Sequence, residues 1–206
     1  MATSGELCIA VATALGISFE TTREHLRNIR RAGMISFKGH GRGAAAMTTL
    51  DASRLLITAS GSPFVKDSIE TLRGFGELKP INQTSRPLGM TLETFLANVM
   101  QKLIDEKDDL PPEYRRPLES GARPGIGLRM MSVVSARPGD FPRTASVRRF
   151  LKSGLLTKSS YAAFASNGLS APTFDSSEFL IQLRKSYLVQ TRDVPASILA
   201  EIAHAL

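Results

Sequence analysis

The tightest constraint on the fold lies between residues 6 and 33. ELCIAVATAL (6–15) is apolar and alanine-rich, as a buried helix is, and Gly16 stops it. Ser18 then stands at an N-cap position, where its hydroxyl accepts a bond from an unpaired amide of the next segment. That segment is FETTREHLRNIRRA (19–32). At 100° per residue, Phe19, Thr22, Leu26, Ile29 and Gly33 fall within an arc of about 80°. Glu20, Thr21, Glu24, His25, Arg27, Asn28 and Arg31 occupy the other side. A narrow apolar seam facing a surface of Thr, Glu, His, Asn and Arg is unusual for simple core packing. Those side chains hydrogen-bond to base edges and phosphates.

The residues that follow extend the pattern. MISFK (34–38) alternates as a short strand does, with Ile35 and Phe37 on one face. GHGRG (39–43) makes a basic tip, and residues 44–48 return, so the stretch reads as a β-hairpin with Lys38, His40 and Arg42 at its turn. Helical spacing resumes over 49–57 with Leu50, Leu55 and Ile57.

The run ALGISFETTREHLRNIRRAGMI (14–35) resembles the helix-turn-helix of winged-helix transcriptional regulators. Leu15, Gly16, Ile17 and Ser18 match the turn of that family. Thr22, Leu26 and Ile29 match the seam of its recognition helix, and Ala32, Gly33 and Ile35 match the exit into its wing. The likeness covers roughly residues 5 to 60, and GHGRGAAAMTTLDASRLL (39–56) resembles small regulators of bacterial prophages and related mobile elements. Phe19-Glu20 and Ala44-Ala45-Ala46 depart from the commonest pattern, which leaves wing length and contacts open. The resemblance implies a helix entering the major groove, with Ser18, Thr21, Thr22, Arg23, His25 and Asn28 at the DNA. Thr22, on the seam, equally suits the core. Arg27, Arg30 and Arg31 are then phosphate contacts, and Lys38, His40 and Arg42 lie against the adjacent backbone or minor groove.

Beyond residue 60, Phe64, Val65, Ile69, Leu72 and Phe75 recur at helical spacing and predict a helix over 67–78. KPINQTSRPLG (79–89) reads as a linker. Over 91–107, Leu92, Phe95, Leu96, Val99, Met100, Leu103 and Ile104 make one continuous stripe, suited to a core or to a dimer seam. Residues 110–127 read as a loop or arm, and 128–136 as a strand. Residues 144–153 and 155–165 fit helix or strand, the first being read as helix, and Phe179 to Leu183 is open in the same way. A last helix has Asp193 as cap, Pro195 near its first turn, and Ile198, Leu199, Ile202 and Leu206 on its apolar face. The expected fold is mainly α with an α+β C-terminal region. A winged helix-turn-helix domain over 1–78 is joined by a linker (79–90) to a dimerisation or assembly domain over 91–206. On this division, a fragment ending at Leu78 folds by itself.

Charge and chemistry narrow the function. The 206 residues carry a net charge of +7, and it is clustered. Residues 20–54 hold seven Lys/Arg against three acids, and residues 110–158 hold ten against three. Such a footprint suits a polyanion. Arg115, Arg116, Arg143, Arg148 and Arg149 are accordingly secondary phosphate candidates. The single cysteine, Cys8, excludes an intramolecular disulfide framework and any multi-cysteine metal site. His25, His40 and His204 have no metal-ligand spacing, so no metal or cofactor is expected. No phosphate-loop motif or nucleophile pairing is present, which argues against an enzyme. A Ser–Lys self-cleaving domain is disfavoured because no Ala-Gly dipeptide lies between the expected domains. No apolar run is long enough for a membrane span, and the first residues lack the basic start of a signal peptide, so a cytoplasmic protein is expected.

The function expected is a sequence-specific double-stranded DNA-binding regulator, a repressor acting as a homodimer or higher homo-oligomer. Two alternatives stay open. One is a DNA-binding component of a phage or mobile element acting in replication, partition or packaging. The other is an effector-sensing regulator with a small-molecule pocket lined by Met130, Met131, Val133 and Val134.

Overall fold

The computed structural model describes residues 2–36, 46–80, 90–105, 126–134, 144–149, 160–165 and 188–206, the strands between 126 and 193 by their backbone. The described part is mainly α-helical, with six α-helices: α1 (Ser4–Leu15), α2 (Phe19–Arg31), α3 (Thr49–Gly61), α4 (Ser68–Gly76), α5 (Leu92–Asp105) and α6 (Ala196–His204). A 3-10 turn, Val65–Asp67, leads into α4.

The first two helices begin and end for local reasons. Thr3 caps α1 through a capping box with Glu6, and Ser18 caps α2 by accepting the Thr21 amide at 3.1 Å. Both close in the same way. Gly16 donates to Thr13 and Ile17 to Ala12, and Gly33 donates to Arg30 and Met34 to Ile29. That paired crossing of bonds needs a left-handed residue, and Gly16 (φ 64°) and Gly33 (φ 72°) supply it. An L side chain at either position is strained, so these two glycines fix the lengths of α1 and α2.

All six helices contribute to one core. Leu7 and Val11 of α1, Leu26 and Ile29 of α2, and Leu55, Leu56 and Ile57 of α3 are joined there by Leu72 and Phe75 of α4. Leu92, Leu96 and Met100 of α5 and Leu199 and Ile202 of α6 complete it. The α5 stripe is therefore core. A division into separate domains at 79–90 does not hold for this packing. The Leu92 amide bonds the Leu78 carbonyl at 2.9 Å, which sets the start of α5 against the end of α4. Two ties cross the expected boundary. Arg54 of α3 forks onto Glu93 of α5 at 3.0 and 2.9 Å, and the Ser53 hydroxyl donates to the Glu93 carbonyl at 2.9 Å.

Five strands form one antiparallel sheet in the order β1-β4-β3-β2-β5, with β1 Lys79–Pro80, β2 Ile126–Val134, β3 Thr144–Arg149, β4 Ser160–Ala165 and β5 Leu188–Pro195. Residues 144–149 are thus strand where a helix was expected, because the ladder to β2 and β4 satisfies their backbone on both sides. Lys79 and Pro80, expected in a linker, pair with Ala165 and Phe164. Asp193 does not cap α6. Pairing with β2 runs on to Pro195, so Asp193 sits opposite Arg129 in the ladder and Pro195 takes the N-cap position. β5 continues directly into α6, and Val194 is buried in the helical core.

The expected hairpin over 34–48 is not formed in its described parts, 34–36 and 46–48. Their amides bond elsewhere: Ser36 to Asp51 Oδ1 at 3.0 Å, Thr48 to Asp51 Oδ2 at 2.9 Å, and Met47 to the Ala2 carbonyl at 2.9 Å. Phe37, Lys38, His40 and Arg42 lie outside the described residues, as do residues 81–89, Arg115, Arg116, Arg143 and the 179–183 segment.

Candidate nucleic-acid interface

The site is the free side of α2, and its composition follows from what covers the rest of that helix. On a wheel of 100° per residue starting at Glu20, the expected seam ran from about 180° to 260°. Thr22, Leu26 and Ile29 are buried there against α1 and α3, so Thr22 belongs to the core, its hydroxyl donating to the Ser18 carbonyl at 3.1 Å. Burial also spreads along one flank, because the 3-10 turn and α4 pack beside the seam.

That flank carries His25 and Asn28, two of the expected base readers. His25 is 2% exposed. Its Nδ1 lies 2.9 Å from Ser68 Oγ, and the Ser68 hydroxyl itself donates to the Val65 carbonyl. With that proton committed, His25 Nδ1 must be the donor of the pair. Asn28 Nδ2 donates to the Val65 carbonyl at 2.9 Å and lies 3.4 Å from Ser68 Oγ. His25 is thereby closed to a base edge, whereas Asn28 is half-buried with its Nδ2 engaged by Val65. Ser68 is the residue that sequence reasoning missed, since nothing in a local pattern ties position 68 to positions 25 and 28.

Burial also holds the His25 imidazole below its ordinary range. The folded state then binds a proton less readily than the unfolded state does. Stability from His25 is complete above the free-histidine range and is lost as the pH falls through it toward the lowered folded value. Urea midpoints of the wild type should drop between pH 7.5 and 5.5 by more than those of His25→Gln. Parallel pH curves for the two proteins would contradict the buried neutral imidazole.

The remaining arc faces solvent. Glu20, Arg23, Arg27 and Arg31 are exposed, and Glu24 and Arg30 are half-exposed. Arg23, Arg27 and Arg31 follow one another every four residues, a row of about 12 Å along the axis. Arg27 Nη1 lies 3.4 Å from Glu24 Oε1, an exposed pair of little energetic weight. Among the described residues, Arg23 and Arg31 have no ion-pair partner. On the edge toward α1, burial pushes the Cys8 thiol up to about 11, with the charges of Arg30 and Arg23 opposing. Ser18 and Thr21 stand at the head of the helix with their hydroxyls 2.8 Å apart.

Of the expected contacts, the structure therefore brings Ser18, Thr21, Arg23, Arg27, Arg30 and Arg31 to one end and side of α2. It takes Thr22 and His25 inward and leaves Asn28 half-buried with its Nδ2 on the Val65 carbonyl. Arg148 and Arg149 lie in β3, opposite Tyr161 and Ser160, and Met130, Met131, Val133 and Val134 lie in β2. Among the described residues, no group of three His, Cys, Asp or Glu is placed to hold a metal, and no helix is long and apolar enough to cross a membrane.

Sequence reasoning also missed the Thr48–Asp51 capping box, whose local signal is Thr-x-x-Asp before an apolar run. The far reach of Asp51 to Ser36 has no such signal. Comparison with protein families, with curated proteins and with solved structures returned no match.

Proposed function

We propose that this protein binds double-stranded DNA through the exposed side of α2 and acts as a sequence-specific regulator of transcription. The observation that carries the reading is the row Arg23, Arg27 and Arg31. It stands on a helix that a Gly16-Ser18 turn sets beside α1 and that the core holds rigidly from behind. Guanidinium groups presented in this way suit phosphate oxygens, which they bind in a fork. A single helix spans few base pairs, so two copies on adjacent half-sites raise both affinity and selectivity.

The test is the salt dependence of binding to duplex DNA by the full chain. The slope of log affinity against log salt should lose about 0.9 for each of Arg27→Ala and Arg31→Ala that removes a phosphate contact, and Arg23→Ala, nearer the head of the helix, should lower affinity as well. The three positions are exposed, so unfolding free energies from urea titration should stay within about 0.5 kcal/mol of wild type. An unchanged slope in the triple variant would remove α2 from the interface. Mapping of bound sites across the genome then separates promoters from origins or packaging sites.

A further inference from the structure

We infer that α2 selects G·C base pairs, with Arg23 and Glu20 as its specificity-determining side chains. The inference rests on the DNA-binding reading above and concerns what the same surface recognises.

The exposed arc of α2 holds a restricted chemistry. Its exposed and half-exposed side chains between about 280° and 40° on the wheel are arginine and glutamate alone: Glu20, Arg23, Glu24, Arg27, Arg30 and Arg31. In the major groove, arginine pairs bidentately with guanine O6 and N7, and glutamate accepts from cytosine N4. Adenine is read by asparagine or glutamine, which donate to N7 and accept from N6. The one such residue on the helix, Asn28, spends its amide donor on the Val65 carbonyl. The helix thus keeps Arg and Glu on its exposed arc and holds its one adenine reader half-buried with its Nδ2 engaged.

Position along the axis chooses among the six. Residues early in a recognition helix reach base edges, whereas later ones meet the backbone. Glu20 and Arg23 lie in the first two turns and, three apart, share one face. Among the described residues neither has an ion-pair partner, so both heads are available. Glu24 and Arg27 meet at 3.4 Å in a weak exposed pair, and Arg27, in the middle of the row, suits a phosphate. Arg31 lies at the last turn, suited to phosphate.

Glu20 carries an argument of its own. A carboxylate entering a groove lined by phosphates is repelled unless a donor meets it. The cytosine amino group is such a donor, and guanine N7 or thymine O4 is an acceptor that repels it. Glu20 therefore acts as much by rejecting wrong bases as by holding the right one. Arg23 supplies the complementary fork for guanine at a neighbouring step.

The experiment is selection from a randomised duplex pool with the full chain, followed by affinity for single-base variants of the selected site. Wild type should enrich a core in which one guanine is required, with roughly 5- to 150-fold weaker binding when it is replaced. Arg23→Lys keeps the charge and loses the fork, so it should retain the salt slope while its preference at that guanine collapses. Glu20→Gln should relax selection at one cytosine and tolerate adenine there. An A·T core, or a guanine preference untouched by Arg23→Lys, would overturn the inference while leaving DNA binding in place. No duplex binding even at low salt would overturn the DNA-binding reading and the inference with it.

Discussion

A chain cut after Leu78 will show no cooperative unfolding transition. The cut removes α5 and α6, and with them Leu92, Leu96, Met100, Leu199 and Ile202, each with no exposed surface. Burying side chains of this size contributes roughly 1.5–3 kcal/mol apiece. Five of them together match the whole net stability of a typical domain, about 5–15 kcal/mol. The remaining helices would also expose Leu55, Leu56 and Ile57 of α3, and Arg54 would lose Glu93. Urea and thermal scans of the fragment, followed by circular dichroism, should give a broad, non-cooperative loss of helix, and the fragment should bind a hydrophobic dye. A sharp transition in the 1–78 fragment would show that α5 and α6 are not part of its core.

Asp51→Ala is expected to be among the most costly single substitutions of a polar residue, at about 3 kcal/mol. Asp51 is buried, and its carboxylate takes bonds from the Ser36 amide, the Thr48 amide and the Thr48 hydroxyl at 2.9–3.0 Å. Hydrogen bonds to a charged acceptor are worth about 1.5–3 kcal/mol each in favourable cases, and loss of a helix cap costs about 1 kcal/mol. Partial access of water to the freed amides brings the total below the sum. Asp51→Asn keeps one carbonyl acceptor and should recover part of the loss. Glu6, which makes the matching capping box on α1 at an exposed position, supplies the internal comparison. Glu6→Ala should shift the urea midpoint measurably less. Equal shifts at the two positions would mean that the reach of Asp51 to Ser36 adds nothing beyond an ordinary cap.

These two expectations mark where local reading stops. The end of α1 and the start of α2 were legible because Gly16 and Ser18 act within a few residues of themselves, whereas the Thr3 cap that starts α1 at Ser4 was not read. The α5 stripe was legible because its period is that of a helix. Whether that stripe faced a second domain or the same core was not, since periodicity names a buried face without naming what buries it. Residues 144–149 read as helix from short apolar spacing, but a strand is decided by partners, here β2 and β4. The candidate surface divided in the same way. The wheel separated a polar arc from a seam, yet the flank bearing His25 and Asn28 was lost to α4, a helix some forty residues further on.

The sequence by itself determined where α1 ends and α2 begins, the polar arc of α2 and the apolar stripe of α5. All three depend on interactions within one or two turns, which spacing and capping chemistry encode directly. Only the tertiary structure decided that six helices share one core, that Asp51 reaches Ser36, and that His25 and Asn28 turn toward Ser68 and Val65. Those outcomes depend on contacts between residues 15 to 43 positions apart or more. Such contacts form when each helix has to bury its remaining apolar surface. The surface left over on α2 is rich in Arg and Glu and faces solvent.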